Sequence, residues 1–497
     1  MTFAVHPKNH RCFVFRDQPF RILSSAEHYG AVLNGDFDFD AYLREMHRTG
    51  QNHTRVFTFY RELESSISPP GRMNTLAPRP EASVLPWSRA ADAASAADGL
   101  PKFDLDRWND AYFRRLKDYV AQCGSAGVVC ELVLFCNPYA QDIYDWFPCS
   151  PASNVNGVGA DLRQRGDFMA LKAPSTMDFQ ERFVRKVVAE LNAFDNVYYE
   201  VCNEPQGDED EVVAWHAHIA RVVRETESSL PKRHLIAVNP HAQRPVAERD
   251  GRRIVRHEEE RYLADPNVDV INYHYISAKE PDEGLAFVRG AATAGATWRF
   301  LRRRDGFRKP LVFDETFSGV VRGEPERYTV NRAEAWEMLL SGGAGYSNLD
   351  WTFLPGNEQG DGARAISDGR RLDGRRYREW LGVLRDILAA GDLASLVPAV
   401  GLLPDRVPGV GYAASTDGAG RYLLYLVNED VYRLRACGSV SPVLHLSLPP
   451  GDYAVRTVDP VTGALATRPD IPSDGRAALG PCEFCEDVAL VLERHES

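Results

Sequence analysis

Val197-Tyr-Tyr-Glu-Val-Cys-Asn-Glu-Pro205 is the stretch on which the fold of this chain turns. Residues 197–202, rich in β-branched and aromatic side chains, read as a strand covered on both faces, which is what a parallel sheet requires. The run stops on two polar residues, Asn203 and Glu204, and then on Pro205, which has no amide hydrogen to extend a ladder. Helical periodicity flanks it over 178–193 and 209–228, so the stretch is one turn of a strand–helix repeat.

The repeat extends in both directions. Short apolar runs at 20–25, 53–58, 128–135, 234–239, 268–273, 310–314 and 345–350 read as further strands, and 38–49, 105–123, 331–341 and 375–389 as helices. From 197 onward the strands start about 35 to 42 residues apart, the spacing of successive β-α units. Eight parallel strands predict a (β/α)8 TIM barrel over residues 20–391. A doubly wound open sheet would carry a nucleotide-binding glycine loop after its first strand, and the sequence has none there. Gly342-Gly343-Ala344-Gly345 precedes the last strand and reads as a turn.

Residues 1–19 read as a β-hairpin that packs beside the last domain or caps the barrel floor. Residues 392–497, with alternating strands at 421–427 and 452–458 and Pro-Pro-Gly and Val-Thr-Gly turns, predict a C-terminal β-sandwich domain. Two long insertions, 61–103 and 138–175, follow barrel strands and so belong to the face where barrels build their sites. Within the first, the alanine-rich stretch 90–98 reads as disordered decoration.

Bulk composition narrows the function. A net charge of −12 over 497 residues argues against nucleic acid, whose binders need clustered cations to displace counterions. No run of 18 apolar residues exists to cross a bilayer, so no membrane partner is expected, while a homo-oligomer is left open. Nine irregularly spaced cysteines suit free thiols in a reducing compartment, and Cys482-x-x-Cys485 has no second pair to make a zinc ribbon. With no basic, apolar leader at Met1–Pro7, a cytoplasmic location is the expectation. His216-Ala-His218 lies in a helix, where residues two apart diverge, so no metal and no cofactor are expected.

Glu204 and Glu315 are the residues that point to chemistry. Each closes a predicted barrel strand, Glu315 ending Leu311-Val-Phe-Asp-Glu. Cleaving a glycosidic bond with retention needs one carboxyl group to protonate the leaving oxygen and a second, about 5 to 5.5 Å away, to attack the anomeric carbon. Asn203-Glu204-Pro205 on the fourth strand with Glu315 on the seventh resembles glycoside hydrolase clan A, the cellulase-like (family 5-like) superfamily, over roughly residues 20–390.

That resemblance implies specific roles: Glu204 as acid/base, Glu315 as nucleophile, Asn203 on the sugar 2-hydroxyl, and Arg55 as the cation that keeps the nucleophile ionised. It also implies a Trp at the end of the eighth strand, here Trp351, stacked on the sugar, and a His and Tyr after the sixth. Many clan members space those two as His-x-Tyr, whereas here His274 and Tyr275 are adjacent, with Tyr273 on the other side. Tyr275 is the expected partner of the nucleophile and Tyr273 its rival. Glu27, His28, Asn137 and His241 are weaker candidates for contacts to substrate hydroxyls, each equally suited to a buried structural hydrogen bond.

The function implied is a retaining glycosidase acting on β-type linkages of a carbohydrate substrate by double displacement, exo-acting on oligosaccharides or glycosides. The alternatives are an endo-acting β-glycanase and a non-catalytic carbohydrate-binding barrel. An aldolase or isomerase barrel would need a Schiff-base lysine, a phosphate loop or a metal cluster at the strand ends, and the predicted strand ends offer none of these.

Overall fold

The structure, a computed structural model, describes residues 2–62, 75–206, 209–240, 244–249, 252–256, 259–275, 293–315, 328–362, 373–405 and 407–495. Eight strands run parallel: β1 Ile22–Ala26, β2 His53–Phe57, β3 Val129–Cys136, β4 Val197–Asn203, β5 Ile236–Val238, β6 Val270–His274, β7 Leu311–Glu315 and β8 Gly345–Leu349. Their ladder runs β1-β8-β7-β6-β5-β4-β3-β2, one residue range after another around a cylinder. The remaining seam, between β1 and β2, is joined by side chains: Ser24 Oγ donates to the His53 carbonyl at 2.7 Å, and the Asn52 and Gln51 amide oxygens accept from the Leu23 and Ser25 N–H groups at 2.8 Å. These bonds satisfy backbone groups that a ladder would otherwise pair, and the sheet closes into a (β/α)8 barrel.

Local chemistry sets the helices. Asp38 accepts from Ala41 N–H at the start of Phe39–Thr49, and Gly50, at φ 68°, ends it in the left-handed conformation. The span 105–123 divides differently from the sequence reading. Phe103–Trp108 is a strand paired antiparallel with Trp87–Arg89, and the helix begins at Asp110 behind an Asn109 cap. Phe103-Asp-Leu-Asp-Arg-Trp alternates with period two, and that pattern outweighs its acidic, helix-like start.

The barrel interior is polar in its middle layer. His53 meets Ser347 Oγ through Nδ1 at 2.9 Å and the Tyr198 hydroxyl through Nε2 at 3.0 Å, while Asn272 Nδ2 donates to Glu131 at 2.5 Å. Beneath it, Phe3, Phe13 and Ile22 pack with Tyr198, Val129 and Val270. The N-terminal segment therefore lies on the barrel floor, as a three-stranded antiparallel sheet (Ala4–Val5, Phe13–Phe15, Gln18–Phe20) rather than a two-stranded hairpin.

After helix Arg375–Ala389 the chain enters a β-rich unit, a six-stranded antiparallel sheet with a two-stranded sheet (Leu444–Leu446, Ala477–Leu479) against it. Leu424, Leu426, Val455 and Leu490 face the small sheet, while Leu423, Tyr425, Val458 and Val491 belong to the barrel's own core. Helix Tyr328–Leu340 joins the two: the Trp336 ring stacks on Tyr425 at 5.2 Å, and Arg332 forks onto Asp487 at 2.7 and 2.8 Å. Among the described residues no helix is long and apolar enough to cross a membrane.

Candidate active site

Polar side chains converge at the C-terminal ends of β2, β4, β6 and β7. Arg55, fully buried on β2, donates from Nη1 to Glu315 Oε1 at 3.1 Å, from Nη2 to Asn203 Oδ1 at 2.8 Å, and from Nε and Nη2 to Glu200 Oε2 at 2.8 and 2.5 Å. A planar fork reaches three acceptors from one fixed plane in a way an ammonium could not. The Tyr275 hydroxyl donates to Glu315 Oε2 at 3.0 Å, so both oxygens of that carboxylate are held. Glu204 accepts from the Tyr139 hydroxyl at Oε2 and meets His274 Nδ1 at Oε1, each at 2.8 Å. His274 Nδ1 is also 3.5 Å from Glu315 Oε2, and one ligand atom from each of Glu204, His274 and Glu315 lies within 4.8 Å of the others.

Backbone irregularities bring adjacent residues into the same space. In a regular strand neighbours point to opposite faces. Glu204 and Tyr275 adopt φ of 44° and 58°, the left-handed region that non-glycine residues seldom enter. Each turns the chain at its strand end, so that Glu204 joins Asn203, and Tyr275 joins His274, in the site. Such conformations cost about 1–3 kcal/mol apiece and persist where the surroundings hold them. The turned-back Tyr275 N–H donates to the Glu315 carbonyl at 2.8 Å. Between β6 and β7 the register slips: Tyr273 lies opposite Phe313 but His274 lies opposite Glu315, which makes Asp314 an extra, bulged residue. The adjacent His274 and Tyr275 therefore reach both catalytic candidates without the usual intervening residue.

The electrostatics follow from burial and proximity. Burial pushes the Glu315 carboxyl up; His274 and Arg55 pull it down, Glu204 and Asp314 push it up, and the net displacement is upward. Burial opposes a charge on His274, but Glu315, Asp314 and Glu204 outweigh it and carry the imidazole well above its usual range. Asp314 is held low by His274 and Arg55 in spite of burial, whereas burial takes Glu200 up to about 8 against the pull of Arg55. The cluster Glu200, His274 and Asp314 has the donor types of a metal site. The Arg55 guanidinium, bonded to Glu200 and 3.5 Å from Asp314, supplies positive charge in that space.

The other sequence-predicted residues divide. Trp351 stands half-buried in the turn directly after β8, beside Asp350, whose carboxylate is gripped by Arg378 at 2.8 Å. Asn137 follows β3, its N–H donating to the Asn203 carbonyl at 3.1 Å and its buried Nδ2 having no hydrogen-bond partner within the described residues. Glu27 belongs to the fold rather than to substrate contact. Its two oxygens accept from the N–H groups of Tyr29, Gly30 and Ala31 and from the Thr75 hydroxyl, and burial takes the carboxyl up to about 7 against those donors. Gly30 is needed there because a Cβ would lie 2.1 Å from the Thr75 carbonyl oxygen. His28 is likewise structural: wholly enclosed, it bonds Ser347 Oγ at 3.0 Å, and burial holds it well below the imidazole range. His241 lies outside the described residues. Tyr273 points away from the site, its hydroxyl donating to Glu259 beside Arg304.

Three residues at the site went unread in the sequence: Tyr139, Glu200 and Asp314. Tyr139 bridges Asn203 and Glu204, accepting from Asn203 Nδ2 at 2.9 Å; the sequence marks it only as one of several aromatics in an insertion expected to shape the cleft, with no role attached. Glu200 had a signal, an ionisable side chain inside an otherwise apolar strand, which burial tolerates only with a partner.

The insertions after β2 and β3 are built onto one another. Arg61 pairs with Asp98 at 2.9 Å, donates to the Trp146 carbonyl at 2.9 Å and stacks on the Trp146 ring. Asp98 is also bonded by Arg89, and Ala96 is buried, so 90–98 is an ordered part of this wall and not loose decoration. Trp87 sits inside it against Phe59, Phe179 and Phe183, with almost none of its ring exposed.

No family model matches the sequence, and no curated protein does. Solved structures match by shape. A candidate glycoside hydrolase from Bacteroides vulgatus ATCC 8482 superimposes with a TM-score of 0.63 at 15% identity, over 99% of this chain and 82% of that one. A glycoside hydrolase gives 0.62 at 12% identity over 100% and 97% of the two chains. A glycoside hydrolase family 5 structure from Bacteroides vulgatus ATCC 8482 gives 0.60 at 12% over 99% and 93%. At these identities the likeness is one of fold, and it spans the barrel together with the β-rich unit.

Proposed function

We propose that the chain is a retaining glycoside hydrolase in which Glu315 attacks the anomeric carbon and Glu204 protonates the leaving oxygen. The observation that carries this reading is that one oxygen of Glu204 lies within 4.8 Å of one oxygen of Glu315, the two bridged by one imidazole at strand ends of a barrel. That approach suits direct attack by a carboxylate, whereas an inverting pair stands about 6.5–9.5 Å apart to admit a water. The two groups are differently equipped. Glu315 is gripped by Arg55 and Tyr275 on both oxygens, which orients a nucleophile, while Glu204 is the more exposed of the two, as a group that meets a leaving oxygen must be.

In the first half-reaction a Glu315 oxygen bonds the anomeric carbon, the glycosidic C–O bond breaks, and the Glu204 proton passes to the departing oxygen. In the second, Glu204 takes a proton from water as the water oxygen displaces Glu315. In this proposal Asn203, held by Arg55 and Tyr139, bonds a sugar hydroxyl, and Trp351 stacks on the ring. The joined insertions 75–103 and 138–175 wall the β2–β3 side of the face, and exo action on oligosaccharides or glycosides is part of the same proposal. A panel of aryl β-glycosides tests the whole. Activity is lost in Glu315→Ala and Glu204→Ala, and azide restores the latter with a β-glycosyl azide as product. Full activity in either variant contradicts the assignment.

A further inference from the structure

The bulge in β7 sets two successive acids against opposite edges of one imidazole. His274 Nδ1 faces Glu204 Oε1 at 2.8 Å and Glu315 Oε2 at 3.5 Å, and its Nε2 faces Asp314 Oδ1 at 3.5 Å. Asp314 is wholly buried and neither of its oxygens has a hydrogen bond from the described residues. Its interactions are with the charges of His274 and, at 3.5 Å, Arg55. A buried carboxylate costs several kcal/mol unless cations beside it repay the desolvation, so a chain that keeps Asp at this bulge keeps it for those charges.

We propose that Asp314 is a positioning residue for the reaction, holding His274 as a fixed imidazolium between the two catalytic carboxylates through both half-reactions. The inference rests on the retaining-hydrolase reading above and adds a group that the reading does not use. In the resting enzyme the negative charge next to His274 Nδ1 is on Glu315. When Glu315 becomes an ester and Glu204 gives up its proton, that charge moves to Glu204, on the same imidazole nitrogen. The imidazolium thus faces one carboxylate before glycosylation and the other after it, with no proton of its own gained or lost. Asp314 is the constant negative charge on the far edge. Other groups facing His274 are Glu200 on β4, Arg55 on β2 and His28 just after β1; burial holds His28 low and Arg55 repels a second cation, so removing Asp314 weakens the hold on the imidazole proton that Glu315, Asp314 and Glu204 share.

Asp314→Asn, which keeps size and removes charge, is the test. The alkaline limb of kcat/KM moves to lower pH by about 1–3 units, the effect of deleting a close opposite charge. A uniform loss at every pH, or an unmoved profile, overturns the proposal. A measurement on the wild-type enzyme protects against a variant that does not fold: nitrogen-15 NMR of the histidines, with His274 identified through His274→Gln. His274 protonated on both nitrogens at neutral pH is the expected result, and a neutral ring overturns the proposal whatever Asp314→Asn does. An inactive wild type on the whole glycoside panel is a different outcome. It removes the hydrolase reading, whereas a neutral His274 in an active enzyme removes only this one.

Discussion

Arg55 carries more of the site than any other side chain, because one guanidinium orients Asn203, Glu200 and Glu315 together. Removing it has a signed consequence. The Glu315 carboxyl is already displaced upward by burial, and Arg55 is one of the two groups pulling it down. In Arg55→Gln that carboxyl rises further, and since attack needs it ionised, the acid limb of kcat/KM moves to higher pH, by about 1–3 units. A pH–rate profile with an unmoved acid limb contradicts this. At this scale the sequence was legible where the family resemblance singled out residues at strand ends: Glu204, Glu315 and Arg55, which the structure brings to one site. It was not legible where the backbone chooses between neighbours. Asp314 faces His274 because of a bulge that leaves no mark in residue type, whereas Tyr275, expected over Tyr273 from the resemblance, does reach Glu315, by way of a positive φ.

Among the elements, the seam between β8 and β1 is tight enough to test directly. Gly345 opens β8 opposite Ile22, and a Cβ there would lie 2.6 Å from the Ile22 Cβ, an atom too close to the backbone to swing away. Gly345→Val is expected to cost about 1–3 kcal/mol of stability as overpacking, read as a lower urea midpoint, while leaving both limbs of the pH profile in place. An unchanged midpoint would mean that the seam is slack. Strand and helix positions around the barrel were readable because short buried runs alternate with longer segments of helical period, at a regular spacing from residue 197 onward. Phe103–Trp108 was misread as helix because a hairpin inside an insertion obeys its own pairing, to Trp87–Arg89, and not the barrel's repeat.

For the molecule as a whole, the docking of the β-rich unit on helix Tyr328–Leu340 buries a titratable group. Glu337 accepts from the Gly295 N–H at 2.7 Å and is displaced by burial from 4.5 to about 7. The sign follows from linkage. Below about 4.5 both folded and unfolded chains hold the proton and this stability is fully present. As pH rises through about 7 the unfolded chain has lost its proton while the folded one has been forced to keep it, and the contribution is lost. At 1.36 kcal/mol per unit the loss is on the order of 3 kcal/mol. Glu337→Gln should flatten the fall in urea midpoint over that window; parallel falls in wild type and variant contradict it. The two-part architecture could be seen in the change from β-α repeat to short alternating strands near 392. The way the six-stranded sheet uses one face for its own core and the other for the barrel could not, since both faces are simply apolar in sequence.

The central claim, that Glu315 forms a covalent bond to sugar, is tested most directly by trapping that bond. For the sugar that the aryl-glycoside panel identifies, an activated 2-deoxy-2-fluoro glycoside forms the ester quickly and releases it slowly. Intact-mass and peptide analysis should then find one sugar per chain, on Glu315, appearing in step with loss of activity. An enzyme that turns the panel over but never acquires the adduct, or acquires it on another residue, contradicts the mechanism proposed here.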